Sequence, residues 1–96
     1  MSLKPMSPGQ LRDYSQNHHE NTYLLVDVRQ PDEYRRGHIP GARLIPLPEL
    51  VQAMNHLPSD KELIFYCHSG GRSMAAAAMT EEVGFTGTIY NLTGGM

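Results

Sequence analysis

Ninety-six residues with one cysteine, 8 basic and 10 acidic side chains and a net charge of -2 allow a single domain with one modest core and no internal disulfide. The charges fall in no run of one sign, which argues against nucleic acid or an anionic membrane as partner. No apolar run approaches the ~18 residues of a membrane span and the N-terminus lacks the regions of a secretory leader, so a cytoplasmic setting is the default.

Met1-Ser2-Leu3 is given no structural weight. Ser7-Pro8-Gly9-Gln10 reads as a helix start, with Ser7 as N-cap, Pro8 at the first helical position, Gln10 completing a capping box, and Met6 and Leu11 as a hydrophobic staple. That helix is expected to run to about Asn17. His18 and His19 then fall in a polar loop; the scattered histidines have no metal-ligand spacing, and neither a metal nor another cofactor is expected.

Tyr23 to Val28 is a nearly continuous apolar run, the pattern of a strand covered on both faces as in a parallel sheet. It ends in Asp27-Val28-Arg29, where the two charges share one side of the pleat and are expected to form a structural ion pair. Pro31 to Gly37, containing Glu33, reads as one helical turn stopped by the glycine. His38-Ile39-Pro40-Gly41-Ala42 re-aims the chain into a short strand near Arg43 to Ile45, with His38 expected to be a hydrogen-bonded part of the scaffold. A helix from about Pro48 follows, its core face assigned to Leu50, Val51, Met54 and Leu57.

Glu62 to Tyr66 is the strand that delivers the lone Cys67 into His68-Ser69-Gly70-Gly71-Arg72-Ser73, and a helix from Ser73 to Val83, capped by Gly84, receives that loop. Ala75 to Ala78 lets this helix lie close on the sheet, and Thr88 to Leu92 is a last β-rich run. Strands alternating with helices predict an α/β fold, an open and mostly parallel sheet with helices on both faces. A thiol where a strand feeds a helix through a Gly-rich loop lies among backbone amides, near the positive end of the helix dipole and near Arg72, all of which favour a thiolate.

Two stretches resemble one family. Cys67 to Arg72 is similar to the active-site loop of the rhodanese-like domains, a six-residue loop that opens on a cysteine carrying a persulfide. Asp27-Val28-Arg29, Glu33-Tyr34 and Gly37-His38-Ile39-Pro40-Gly41-Ala42 with Ile45-Pro46 resemble the family's N-terminal signature. The likeness runs from about Ser7 to Met96 and implies the small α/β rhodanese fold, with residues 5–96 as one domain. Family members continue past a similar Gly-Gly-Met into another helix, so this chain reads as trimmed at its C-terminal end or cut from a longer protein.

The resemblance implies a sulfurtransferase. Cys67 is then the catalytic nucleophile, taking sulfane sulfur from thiosulfate or a persulfide and passing it to a thiol or cyanide, with no cofactor; a fused or partner protein is a further candidate acceptor. A single cysteine suits this chemistry, because dithiol exchange needs a second one. His68, Ser69, Gly70, Gly71, Arg72 and Ser73 are the expected persulfide- and substrate-binding residues: amides turned inward, serine hydroxyls as extra donors, and Arg72 to attract and orient an anionic donor. Asp27, Arg29, Glu33 and His38 are expected to support them. Phosphatase or arsenate chemistry is the enzymatic alternative, but only four residues separate Cys67 from Arg72 where the phosphatase loop of the related fold has five. A non-catalytic binding module is the other alternative, which retention of both Cys67 and Arg72 disfavours. Replacing Cys67 by serine is expected to abolish transfer with little loss of fold, on the expectation that it changes one exposed atom.

Overall fold

The computed structural model describes residues 3–53, 56–58, 60–68 and 71–93. Its five strands are all parallel: β1 (Leu3–Met6), β2 (Tyr23–Asp27), β3 (Arg43–Leu44), β4 (Glu62–Tyr66) and β5 (Ile89–Leu92), in the spatial order β1-β5-β4-β2-β3. Between them run α1 (Pro8–Asn17), α2 (Pro31–Arg36), α3 (Leu47–Ala53) and α4 (Gly71–Glu82). No helix among the described residues is long and apolar enough to cross a membrane.

The period of two along each strand sorts the core into two layers. Val26 and Val28 from the second strand segment, Leu63, Phe65 and Cys67 from the fourth, and Ile89 face α3 and α4, where Leu50, Ala76 and Ala77 meet them. Leu25, Ile64, Tyr66 and Leu92 face the opposite way, toward Leu11 of α1 and toward Ile39 and Ala42. Phe65 is fully buried, and a side chain of this kind stabilises by about 1.5–3 kcal/mol relative to exposure. Ala76 and Ala77 alone of the alanine run are fully buried, which lets α4 approach the sheet closely.

Local signals explain the element ends. Ser7 Oγ accepts from the Gln10 amide and the Gln10 side chain accepts from Ser7 N–H, closing the capping box, and Met6 and Leu11 share one buried cluster as a staple should. Gly84 ends the α4 segment with φ +100°, a conformation that favours glycine, and its N–H donates to Glu81 O at 3.1 Å. The Tyr14 hydroxyl donates to Glu62, fastening α1 to the start of β4; burial, reinforced by that carboxylate, pushes the Tyr14 hydroxyl above the usual tyrosine range.

Three expectations are corrected. Leu3 has structural weight, because β1 pairs with β5 at the sheet edge. Pro5 fits there, since an edge strand tolerates a missing donor. The core stripe of α3 is Leu47, Leu50 and Ala53, continued by Leu57, whereas Val51 is 60% exposed. The helix begins at Leu47, next to the expected Pro48, and its line at i, i+3, i+6 leaves Val51 off the seam. Met54 lies outside the described residues. Finally, α4 starts at Gly71 rather than Ser73, so Arg72 and Ser73 belong to its first turn and not to the loop.

Candidate active site

In a parallel sheet of this kind ligands bind beyond the carboxyl ends of the strands, where successive connections leave to opposite faces. Neighbouring β2 and β4 meet that description. The segment after β2 returns over the α1 face, with Ile39 and Ala42 packed there, and α4, after β4, covers the other. Cys67 follows β4 directly at this crevice.

The thiol continues the inward row of Leu63 and Phe65 and is fully buried, which corrects the expectation of an exposed atom. It is not surrounded by hydrocarbon alone. Ser73 N–H donates to Cys67 Sγ at 3.4 Å, and Ser73 Oγ lies 3.6 Å from the sulfur. The cause is local. The first turn of a helix has amides without intrahelical acceptors, and starting α4 at Gly71 aims one of them at the sulfur. Serine at position 67 would place a hydroxyl in this mostly apolar layer, a change that costs about 1–3 kcal/mol where the group is imperfectly paired. Ser69 and Gly70 lie outside the described residues.

Arg72 is paired with Glu33. Its guanidinium grips Glu33 of α2 with two bonds, Nη1–Oε1 at 2.8 Å and Nη2–Oε2 at 3.0 Å, and it also interacts with Cys67. Glu33 additionally accepts from Gln30 N–H at 3.0 Å, which fixes its carboxylate at the start of α2. Arg72, with help from the Gln30 amide, holds the Glu33 carboxyl down at about 2. The same pairing raises Arg72 further above its already high value.

Asp27 and Arg29 form the expected ion pair, and both are buried. Arg29 Nε and Nη2 donate to the carboxylate at 2.8–3.0 Å, and Arg29 N–H donates to Asp27 Oδ1 at 2.9 Å. Arg29 Nη2 also donates to Gly37 O at 2.6 Å, and its guanidinium carbon sits 5.7 Å from the centre of the Tyr66 ring. Tyr66 in turn accepts from Ile39 N–H at 3.1 Å, so this pair holds the segment after α2 against β4. His38 is exposed, stacks on Tyr34 with ring centres 3.7 Å apart, and bonds Tyr34 O through Nδ1 at 2.9 Å; it supports the turn.

Arg29, Glu33, Arg36, Gly37 and the exposed His68 line an open cleft of about 470 Å³. Thus the structure joins Cys67 to Ser73, Arg72 to Glu33 and Asp27 to Arg29, and puts His68 beside Glu33 and Arg29 in one cleft. Two residues were missed from sequence. Arg36 lines the cleft. Asn91 of β5 is buried and its Oδ1 accepts from Ser73 Oγ at 2.5 Å; the available signal was a polar residue on the same side of the pleat as Ile89.

The model of the "Rhodanese-like domain" family matches residues 10–96. An "Uncharacterized protein YqhL" of Bacillus subtilis is 48% identical over 71 residues, 74% of this chain and 56% of that protein, so the match spans little more than half of the relative. A "Putative sulfurtransferase YtwF" of the same organism is 35% identical over 96 residues, 100% of this chain and 89% of that one. The solved human single-domain sulfurtransferase TSTD1 superposes with a TM-score of 0.80 at 29% identity, covering 96% of this chain and 90% of the human one. With its sheet order, its strand-end cysteine and a family match over residues 10–96, this chain belongs to the rhodanese-like domain family.

Proposed function

We propose that the chain is a sulfurtransferase that carries sulfane sulfur as a persulfide on Cys67, moving it from thiosulfate or a persulfide to a thiol or cyanide. The observation that carries this reading is the Ser73 amide, in the first turn of α4, aimed at Cys67 Sγ from 3.4 Å. An amide and a helix N-terminus favour anionic sulfur without a full countercharge on it. The sulfurtransferase names of relatives and of the human structure support the same chemistry.

With thiosulfate, the Cys67 thiolate attacks the outer sulfur, the sulfur–sulfur bond of the donor breaks, and sulfite leaves with its electron pair. Cys67 then holds S–S⁻. Cyanide attacks the terminal sulfur, thiocyanate departs and the thiolate returns. Arg72 orients the donor by exchanging part of its grip on Glu33 for donor oxygens, and the open cleft beside His68 is the entry route.

Thiosulfate alone is expected to add about 32 Da, one sulfur atom, to the chain's only cysteine in a form that dithiothreitol removes. Adding cyanide is expected to release thiocyanate. Thiocyanate formed at an undiminished rate by Cys67→Ser would overturn the reading.

A further inference from the structure

Behind Cys67 lies a buried line of three polar groups on three elements. Cys67 Sγ is 3.6 Å from Ser73 Oγ, and Ser73 Oγ is 2.5 Å from Asn91 Oδ1. All three residues are buried, with Cys67 and Ser73 fully so. Asn91 reaches this place because β5 lies beside β4, with Asn91 opposite Phe65 in the register, and because the pleat turns it toward α4 as it turns Phe65 and Cys67.

Ser73 brings two hydrogen-bonding groups to the site, and they have separate tasks. Its N–H faces the sulfur at 3.4 Å, whereas its hydroxyl proton goes to the Asn91 carbonyl. A hydroxyl has one proton and two lone pairs. With the proton given to Asn91, the oxygen turns a lone pair toward Cys67, and the thiol S–H donates to it. This direction of bonding suits the neutral thiol. A thiolate, or the unprotonated inner sulfur of a persulfide, needs the opposite direction, with the hydroxyl donating to sulfur. The Asn91 carbonyl and the anionic sulfur therefore compete for one proton, while the Arg72 guanidinium of α4, unchanged by that contest, is the charged group that also acts on the sulfur.

We propose that Asn91 is a positioning residue for sulfur transfer, which holds the Ser73 hydroxyl away from Cys67 and so sets how readily that sulfur becomes anionic. The inference rests on Cys67 as the sulfur carrier, but it is tested on the resting protein without turnover.

The test follows thiolate absorbance against pH in the unliganded protein, with Cys67→Ser as the blank for the tyrosines. Replacing Asn91 by leucine or valine removes the acceptor and releases the Ser73 hydroxyl to donate to the thiolate. The midpoint is expected to fall by about one pH unit, the size of one hydrogen bond to a charged group. In the Ser73→Ala background the same Asn91 replacements are expected to leave the midpoint where Ser73→Ala alone puts it. The valine variant, smaller and favoured in strands, covers the case in which leucine prevents folding. An unchanged midpoint in both Asn91 variants would overturn the proposal, as would an equal fall when Ser73 is absent. Failure of the wild-type chain to form thiocyanate, with the midpoint behaving as expected, would instead count against the reading of the reaction.

Discussion

Asp27–Arg29 and Glu33–Arg72 are each a carboxylate held by a guanidinium, with closest contacts of 2.8 Å, yet their settings differ. The first is buried, built within three residues of one strand end, and bonded further to Gly37 and the Tyr66 ring. The second is partly open to water and ties α2 to the first turn of α4 across 39 positions of sequence. A buried pair cannot lose one member without leaving an uncompensated charge, so it acts as scaffold. A partly exposed pair can exchange its partner for water or for a substrate. One guanidinium thus fixes the loop after α2, and the other is held by Glu33 near the sulfur, where the proposed reaction would use its bond as a replaceable one.

The sharpest way to break this contrast is Asp27→Ala, which leaves Arg29 buried without its carboxylate. Urea denaturation is expected to show a loss of about 3–5 kcal/mol. The corresponding change in the other pair, Glu33→Gln, is expected to cost about 1 kcal/mol, well below the buried pair, because a pair partly open to water is screened and conformationally costly. Its larger effect falls on function: with Arg72 released, the thiosulfate KM is expected to drop several-fold, while Arg72→Ala raises it. Equal KM values in the wild type and Glu33→Gln would remove the idea of a replaceable bond.

Acid separates the pairs more finely. The Glu33 carboxyl is lowered from 4.5 to about 2 in the folded chain, so its contribution is complete above pH 4.5 and is lost as pH falls toward 2. Melting temperatures of the wild type and Glu33→Gln are therefore expected to converge over that window. The smallest effect belongs to the exposed Asp32–Arg36 pair on one turn of α2, where Asp32→Asn is expected to cost about 0.3–0.5 kcal/mol in urea.

These contrasts also show what the amino-acid order reveals. The Asp27–Arg29 pair was legible because both charges lie on one short segment whose pleat fixes their side. The capping box at Ser7, the strands at Tyr23 and Glu62, and the placement of Cys67 directly after β4 were legible for the same reason: each is set by neighbours within a few residues. The Glu33–Arg72 clasp and the Ser73–Asn91 contact were not, since each depends on how separate elements come together in space. Edge strand β1 was missed because Lys4 and Pro5 are exposed and no alternation marks so short a run. Val51 was misplaced because a seven-residue helix can present more than one apolar stripe, and only docking chooses between them.

The pairing of Leu3–Met6 with Ile89–Leu92 has a consequence for synthesis on the ribosome. Among the described residues β1 has its only sheet neighbour in β5, so it cannot pair until the segment through Leu92 has emerged. Met6 lacks its Leu92 partner until then, and a chaperone that shields the Leu3–Met6 segment would speed maturation of this domain more than one acting on the strands between.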